Sequence, residues 1–247
     1  MIGLPIERKA CTLKLKKMKK IALLAAGLLV TGAAAFAQTN TTTSTVGNTK
    51  WGLKVGVNLA KYSFGEDDAE NPETDHATNF HVTGYLDLPL GGRMFSVQPG
   101  LSLQGKGAEY FDDEILGNSV EVKENIMWLE VPVNLVGKIP LGATGAQLFL
   151  GAGPYGAVGL AGEIKTENKT TDQATTQKIK FGDEDNSGAS RKALDFGVNF
   201  MGGFQLNNGF NVGAGYGLGL TDLRPSGTGG NGQMTNRVLS FSVGYAF

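Results

Sequence analysis

The chain runs to 247 residues, with 22 Lys and Arg against 23 Asp and Glu, 37 glycines, two histidines and one cysteine. This composition excludes a disulfide framework and a cysteine metal site, and without a basic excess there is no surface for nucleic acid. Beyond the first fifty residues glycine is frequent and no helical apolar period can be traced, which points to an all-β chain.

Residues 18–38, MKKIALLAAGLLVTGAAAFAQ, hold a basic start at Lys19 and Lys20, an apolar run from Ile21 and the small-residue sequence Ala35-Phe36-Ala37. That is the pattern of a secretory signal peptide cleaved after Ala37. A spanning helix needs roughly 20 apolar residues, more than this run supplies. Residues 1–37 are therefore read as a signal peptide, with Met18 a second candidate for the start. Cys11 lies ahead of the apolar run and is not a lipid-bearing cysteine. Seven of the 22 basic residues and one of the 23 acidic residues fall in this leader, so cleavage leaves 15 against 22 and a net charge of −7. Residues 38–50, rich in Thr, Asn and Ser, read as a polar periplasmic spacer, and 51–247 remains as one domain.

Eight alternating stretches follow. Trp51, Leu53, Val55, Val57 and Leu59 alternate with Gly52, Lys54, Gly56, Asn58 and Ala60, which puts the apolar set on one face of a strand. Phe80, Val82, Leu86, Leu88 and Leu90 mark a second strand, and Phe95, Val97, Leu101 and Leu103 a third. Met127, Leu129, Val131, Val133 and Leu135 mark the fourth, Leu148, Leu150, Val158 and Leu160 the fifth, and Leu194, Phe196, Val198 and Phe200 the sixth. Phe210, Val212, Tyr216, Leu218 and Leu220 mark the seventh, and the closing RVLSFSVGYAF, residues 237–247, the eighth.

The connections alternate in length. Long polar segments follow strands one, three, five and seven, near 65–79, 107–125, 162–191 and 222–236, while short ones lie at 90–93, 139–145 and 207–209. Short periplasmic turns and long outer loops are the topology of an outer-membrane barrel. A soluble, lipocalin-like barrel alternates as well, but it faces its apolar side inward and needs charge outside. The polar faces here carry Gly, Ser, Asn and Gln with scattered charges such as Lys54, Asp87, Glu130, Lys138 and Asp195, which suits a packed lumen better than water. The expected fold is an all-β, eight-stranded antiparallel up-and-down transmembrane β-barrel in the bacterial outer membrane, with a periplasmic N-terminus and extracellular long loops.

From Trp51 to Phe247 the chain resembles the outer-membrane β-barrel domain family that includes PorT-type, porin-family-like proteins. The resemblance rests on Gly52-Leu53-Lys54-Val55-Gly56-Val57-Asn58, Leu129-Glu130-Val131-Pro132, Gly153-Pro154-Tyr155, Asp195-Phe196-Gly197 and Tyr216-Gly217-Leu218-Gly219-Leu220-Thr221-Asp222-Leu223. It implies a membrane barrel without implying one activity. The terminal alternation ending on Phe247 resembles the signal by which outer-membrane barrels reach their assembly machinery.

On the inward face, Gly213, Gly215, Gly217, Gly219, Ser240, Ser242, Gly244, Ala246, Gly52 and Gly56 form a wall of small residues. Gln98, Gln104, Trp128, Glu130, Phe149 and Tyr155 supply bulk on other strands. Trp128, Phe149 and Tyr155 are expected to reach across and plug the lumen. Lys54, Glu130 and Asp195 share this face and are expected to form a polar network; a structural ion cluster and an ion or proton path both fit it. Pro132, inside a closed sheet, predicts a bulge.

The residues of catalysis are scarce. His76 stands in the first long loop beside Asp75, and His81 opens the second strand; neighbours on a loop do not by themselves make a catalytic pair. No catalytic, cofactor or metal residue is assigned. The first two loops are acidic, with Glu66, Asp67, Asp68, Glu70, Glu73 and Asp75, then Glu109, Asp112, Asp113, Glu114, Glu121 and Glu124. A solvated surface and a divalent-cation bridge to lipopolysaccharide both suit them. Asp183-Glu184-Asp185-Asn186-Ser187-Gly188 begins like a calcium loop but has Leu194 where the closing acid belongs. The third loop reads as a surface hairpin. The functional expectation is a non-enzymatic envelope protein with a side-chain-filled lumen, serving integrity, surface interaction or a secretion-associated role, with a narrow porin-like channel for ions or small solutes as the alternative and a loop-based outer-membrane enzyme as the third reading. Its partners would be outer-membrane lipid and lipopolysaccharide, the barrel assembly machinery, and secretion or surface proteins.

Overall fold

The computed structural model describes residues 49–65, 74–91, 94–115, 118–169, 171, 173–182, 189–225 and 233–247. The expected signal peptide, residues 38–48 of the spacer, the calcium-like stretch and most of the first loop's acids lie outside the described residues. The strands are β1 Lys50–Phe64, β2 Ala77–Pro89, β3 Phe95–Ile115, β4 Asn118–Leu141, β5 Ala146–Asn168, β6 Gln173–Lys178, β7 Leu194–Gln205, β8 Phe210–Gly219 and β9 Met234–Ala246. All pair antiparallel in the order β4-β3-β2-β1-β9-β8-β7-β5, and β5 returns to β4, so eight strands close a ring. Among the described residues β6 pairs with β5 alone, and it stands outside that ring.

Alternation decides which face each residue takes. Trp51, Leu53, Val55 and Val57 point outward at 55, 46, 42 and 47% exposure, as do Phe80, Leu103, Leu150, Phe196 and Phe241, whereas Asn58, Trp128 and Asp195 on inward positions have none. An apolar outside around a polar inside is the reverse of a lipocalin-like barrel and is the arrangement a lipid solvent requires.

Three short turns close one end, at residues 90–94, 142–145 and 206–209. Gly145 and Gly209 take φ of 72° and 94° there. A Cβ on Gly209 would also lie 2.2 Å from the Ala246 carbonyl oxygen, so this turn needs glycine twice over. The barrel's two chain ends meet at the same rim, where Phe247 donates its amide to Trp51 over 2.8 Å and the two rings stack at 3.8 Å.

At the other end the barrel is uneven. β3, β4 and β5 run to 21, 24 and 23 residues, against 10 for β8. A transmembrane strand uses about 9–11, so roughly ten residues of each project past the mouth, about 30 Å of sheet at ~3.3 Å per residue. Their outward residues change there from Leu103, Leu129 and Leu160 to Glu109, Lys123, Glu163 and Lys165, which marks the end of the lipid band. The segment 107–125, expected as a loop, is thus mostly paired strand. The third loop holds a hairpin, as expected, formed by β5 and β6.

Pro132 does not sit at a bulge. It faces Tyr155 in register, and the shift between β4 and β5 lies between Met127 and Trp128, where Leu160 is the extra residue. Placing Arg at Val55, in the middle of the lipid band, is expected to destabilise the folded barrel by ~2–4 kcal/mol, measured as unfolding free energy in lipid bilayers.

Candidate functional site: the barrel interior

The registers stack the inward side chains into layers. Nearest the short turns, Lys138 on β4 donates to Asp87 on β2, and the Tyr85 ring lies over Gly52, whose Cβ would stand 2.3 Å from it. Above them Lys54 leans on apolar groups: its Nζ is 3.8 Å from Met201 Sδ, 4.5 Å from the Tyr85 ring centre and 5.5 Å from that of Phe149. Beside it runs a chain of polar groups. Asn58 Nδ2 donates to Gln104 Oε1 at 2.7 Å and to the Gly105 carbonyl at 2.9 Å, which turns its Oδ1 to His81 Nδ1 at 2.8 Å. His81 Nδ1 therefore carries the hydrogen. Lys54, Asn58, His81, Gln98, Asn134 and Ser240 help to line a cavity of about 110 Å³, and since a water needs ~10–15 Å³ of such space it has room for several.

The next layer is an ionic centre. Lys106 on β3 bridges Glu130 on β4, at 2.8 Å, and Asp195 on β7, at 3.2 Å, all three nearly without exposure. Tyr155 OH at 3.2 Å and Asn236 Nδ2 at 2.8 Å also donate to Asp195 Oδ2, and Asn199 Nδ2 donates to Glu130 Oε1 at 3.0 Å. Among the described residues, Asp195 Oδ1, Asn236 Oδ1 and Trp128 Nε1 are buried without a partner.

Over this centre the mouth is filled. Trp128, Ile126, Tyr62 and Ala108 from the strands pack with Ile179, Leu223 and Met234, with Phe181 against them. Arg191, carried by the segment before β7, reaches Glu124 on β4 with both arms of its guanidinium, Nε at 2.8 Å, while Tyr62 on β1 donates to the same carboxylate at 2.8 Å. One arginine thus ties two walls of the barrel together.

Of the residues expected in a polar network, Glu130 and Asp195 come together, and Lys54 does not join them. Lys106 occupies the bridging place. It follows Gln104 by two residues and so shares its face, but it lies past Leu103, the last apolar marker of the third strand. Trp128, Phe149 and Tyr155 all lie in the interior, at 0, 7 and 4% exposure. Phe149 reaches over Gly203 to Gly213 in the small-residue wall, where added Cβ atoms would meet its ring at 2.7 and 3.2 Å. Tyr155 stops at Gly197 on the adjacent strand, and Trp128 packs edge-on against Phe181 at 6.2 Å instead of crossing. Of the expected second loop's acids, three are paired: Glu109 with Lys123, Glu121 with Lys169, Glu124 with Arg191; the side chains of Asp112, Asp113 and Glu114 lie outside the described residues. Among the described residues no group of three or more His, Cys, Asp or Glu is placed to hold a metal ion.

A closed eight-stranded sheet, apolar outside and polar within, defines a small membrane β-barrel. The chain belongs to the outer membrane protein beta-barrel domain family, which it matches over residues 36–224, and its place is the bacterial outer membrane. Among solved structures it is similar to OprG from Pseudomonas aeruginosa, with a TM-score of 0.42, 14% identity and coverage of 80% of this chain and 95% of that one. It is also similar to Ail, the attachment invasion locus protein of Yersinia pestis, with a TM-score of 0.41, 12% identity and coverage of 81 and 100%. For Neisserial surface protein A the TM-score is 0.38 at 9% identity, again covering 81 and 100%. No curated protein matches the sequence.

Removing one member of a buried ion pair leaves an uncompensated charge. Lys106→Met is therefore expected to destabilise the barrel by ~3–5 kcal/mol, whereas Lys54→Met, which abandons no carboxylate within salt-bridge distance, changes stability far less. Heat-modified gel mobility and unfolding in urea compare the two.

Proposed function

We propose that this is a non-enzymatic barrel whose lumen is closed by its own side chains and whose work in the envelope, in integrity, surface interaction or a secretion-associated role, is done by the sheet above its mouth. The observation that carries this reading is the filled mouth, where Trp128, Leu223 and Ile126 are each at most 1% exposed and Arg191 spans from β4 to β1. Catalysis is disfavoured because His81 is engaged with Asn58 and His76 is exposed, with Asp75 bridged to Glu109 through the backbone. The short turns and both barrel ends are taken as periplasmic and the projecting strands as extracellular, in keeping with the usual topology of such barrels. The outer apolar face meets lipid, lipopolysaccharide borders the projecting strands, and β9 is the strand offered to the assembly machinery.

The projecting sheet suits contact with other macromolecules. Every residue of β6, Gln173–Lys178, is exposed, and it uses one edge on β5; an edge strand is a template for an added strand. On its partner β5, charged groups pair along the strand and its turn. A hydrogen bond from Lys165, with the charges of Lys165 and Lys169, holds the Glu167 carboxyl below its ordinary value. A carboxyl lowered on folding stabilises above its unfolded value and loses that contribution as pH falls through the folded one. Acidification through the carboxylate range is therefore expected to release Lys165 and Lys169 from Glu167, seen as a change in their side-chain NMR signals, before the barrel strands change.

The second reading, a narrow channel, draws on the polar cavity beside Lys54. Planar-bilayer recording of the folded protein separates the two. A silent membrane with folded barrel is the expected result; reproducible unitary steps would replace the closed barrel with the channel.

A further inference from the structure

Beyond the lipid band, outward charges on β3 to β5 and the turn that follows meet opposite charges: Lys123 pairs with Glu109, Lys165 with Glu167 and Lys169 with Glu121. One place on the wall differs. Lys61 on β1 stands directly opposite Arg237 on β9, so both side chains take the outward face. Residues so placed have Cβ atoms about 4.5–5.5 Å apart, and like charges there are destabilising. Neither has an ion pair among the described residues, and Lys61 has no hydrogen bond from its side chain there either. Arg237 turns one arm, Nη1, onto neutral oxygens, the carbonyls of Gly219 at 2.8 Å and Asn236 at 3.0 Å and the Thr235 hydroxyl at 2.9 Å, which leaves Nε and Nη2 for a further acceptor. Beneath the pair lies lipid-facing surface. Leu59 faces Leu239 and Val57 faces Phe241 in the next two outward ranks, the latter two at 47 and 46% exposure, and Leu218 on β8 flanks Arg237.

We infer that Lys61 and Arg237 form a phosphate site at the rim of the barrel, which takes a lipid A phosphate of lipopolysaccharide while the acyl chains lie on Leu59, Leu239, Val57 and Phe241 below. A dianionic phosphate between the two cations turns their repulsion into attraction, and the planar guanidinium suits its oxygens. Charge alone would hold a free anion as well, but two cations set directly above an apolar wall match an amphiphile. The choice of lipid A rests on the reading that the projecting strands are extracellular, since lipopolysaccharide occupies the outer leaflet.

The test uses the folded full chain in detergent micelles with a chelator present, so that no divalent ion bridges. Lipid A, lipid A freed of its phosphates, and phosphatidylglycerol are added in turn, and the lipid retained per barrel is counted by native mass spectrometry. Lipid A is expected to be retained several-fold over both others. Lys61→Glu places an opposite charge across from Arg237; it should raise the unfolding midpoint in the absence of lipid A and cut retention several-fold. Lys61→Gln removes the repulsion alone, should act in the same direction, and is the reporter if Lys61→Glu does not fold. Retention that ignores the phosphates or survives both substitutions would overturn the site. Inorganic phosphate raising the midpoint as far as lipid A does would overturn the lipid as its occupant. Preference for phosphatidylglycerol would overturn lipid A and, with it, the extracellular reading of this end. Conduction does not enter the test, so a channel result would leave it standing.

Discussion

A chain that crosses hydrocarbon must satisfy its backbone hydrogen bonds within itself, because no water is there to take them. For strands this means closure, and closure fixes the rest of the molecule. Once β4 meets β5 and β1 meets β9, each of the eight barrel strands has one face towards lipid and one towards a narrow interior. The large aliphatic and aromatic residues are left outside at an exposure that would be a liability in water. The polar residues are confined inside, where each must find a partner on another strand. The interior is therefore a problem in polar satisfaction more than in apolar packing, and His81, Asn58, Gln104 and Ser102 solve part of it as a continuous chain.

The interior is also graded along the axis. An ion pair lies by the short turns, then an ammonium held by rings and a thioether, then an ionic centre, then an apolar roof. The roof borrows residues from outside the barrel strands: Ile179, Phe181, Arg191 and Leu223 come from the connections before β7 and β9. Sealing this end therefore depends on segments that carry no membrane-spanning signal.

The sequence discloses the strands of the lipid band because a period of two with one apolar face is visible without a structure. It discloses the short turns for the same reason, as interruptions of that period. Where the strands leave the lipid, the apolar face ends and so does the signal, which is why Gly107 to Asn125 reads as loop although most of its described backbone is paired. Lys106 lies at that border. Lys54, Glu130 and Asp195 share a face, but parity gives the face of a residue and says nothing of its height. Height comes from the register and tilt of eight strands, and only the closed sheet places Lys106, and not Lys54, level with both carboxylates. The misplaced bulge has a similar origin: proline at position 132 is a local cue, whereas the extra residue at Leu160 is a property of two strands counted together.

That single unpaired leucine acts as a change of parity. Below it the odd positions of β5, such as Phe149 and Tyr155, face the lumen; above it the even positions, such as Gly162 and Ile164, do so. The sheet beyond the mouth is thereby counted from its own origin. Residues gained or lost there in twos on facing strands keep every inward group inward, whereas a single step would turn Glu163 and Lys165 against the roof. The outer sheet is free to vary in reach by whole dyads while the barrel beneath it stays unchanged.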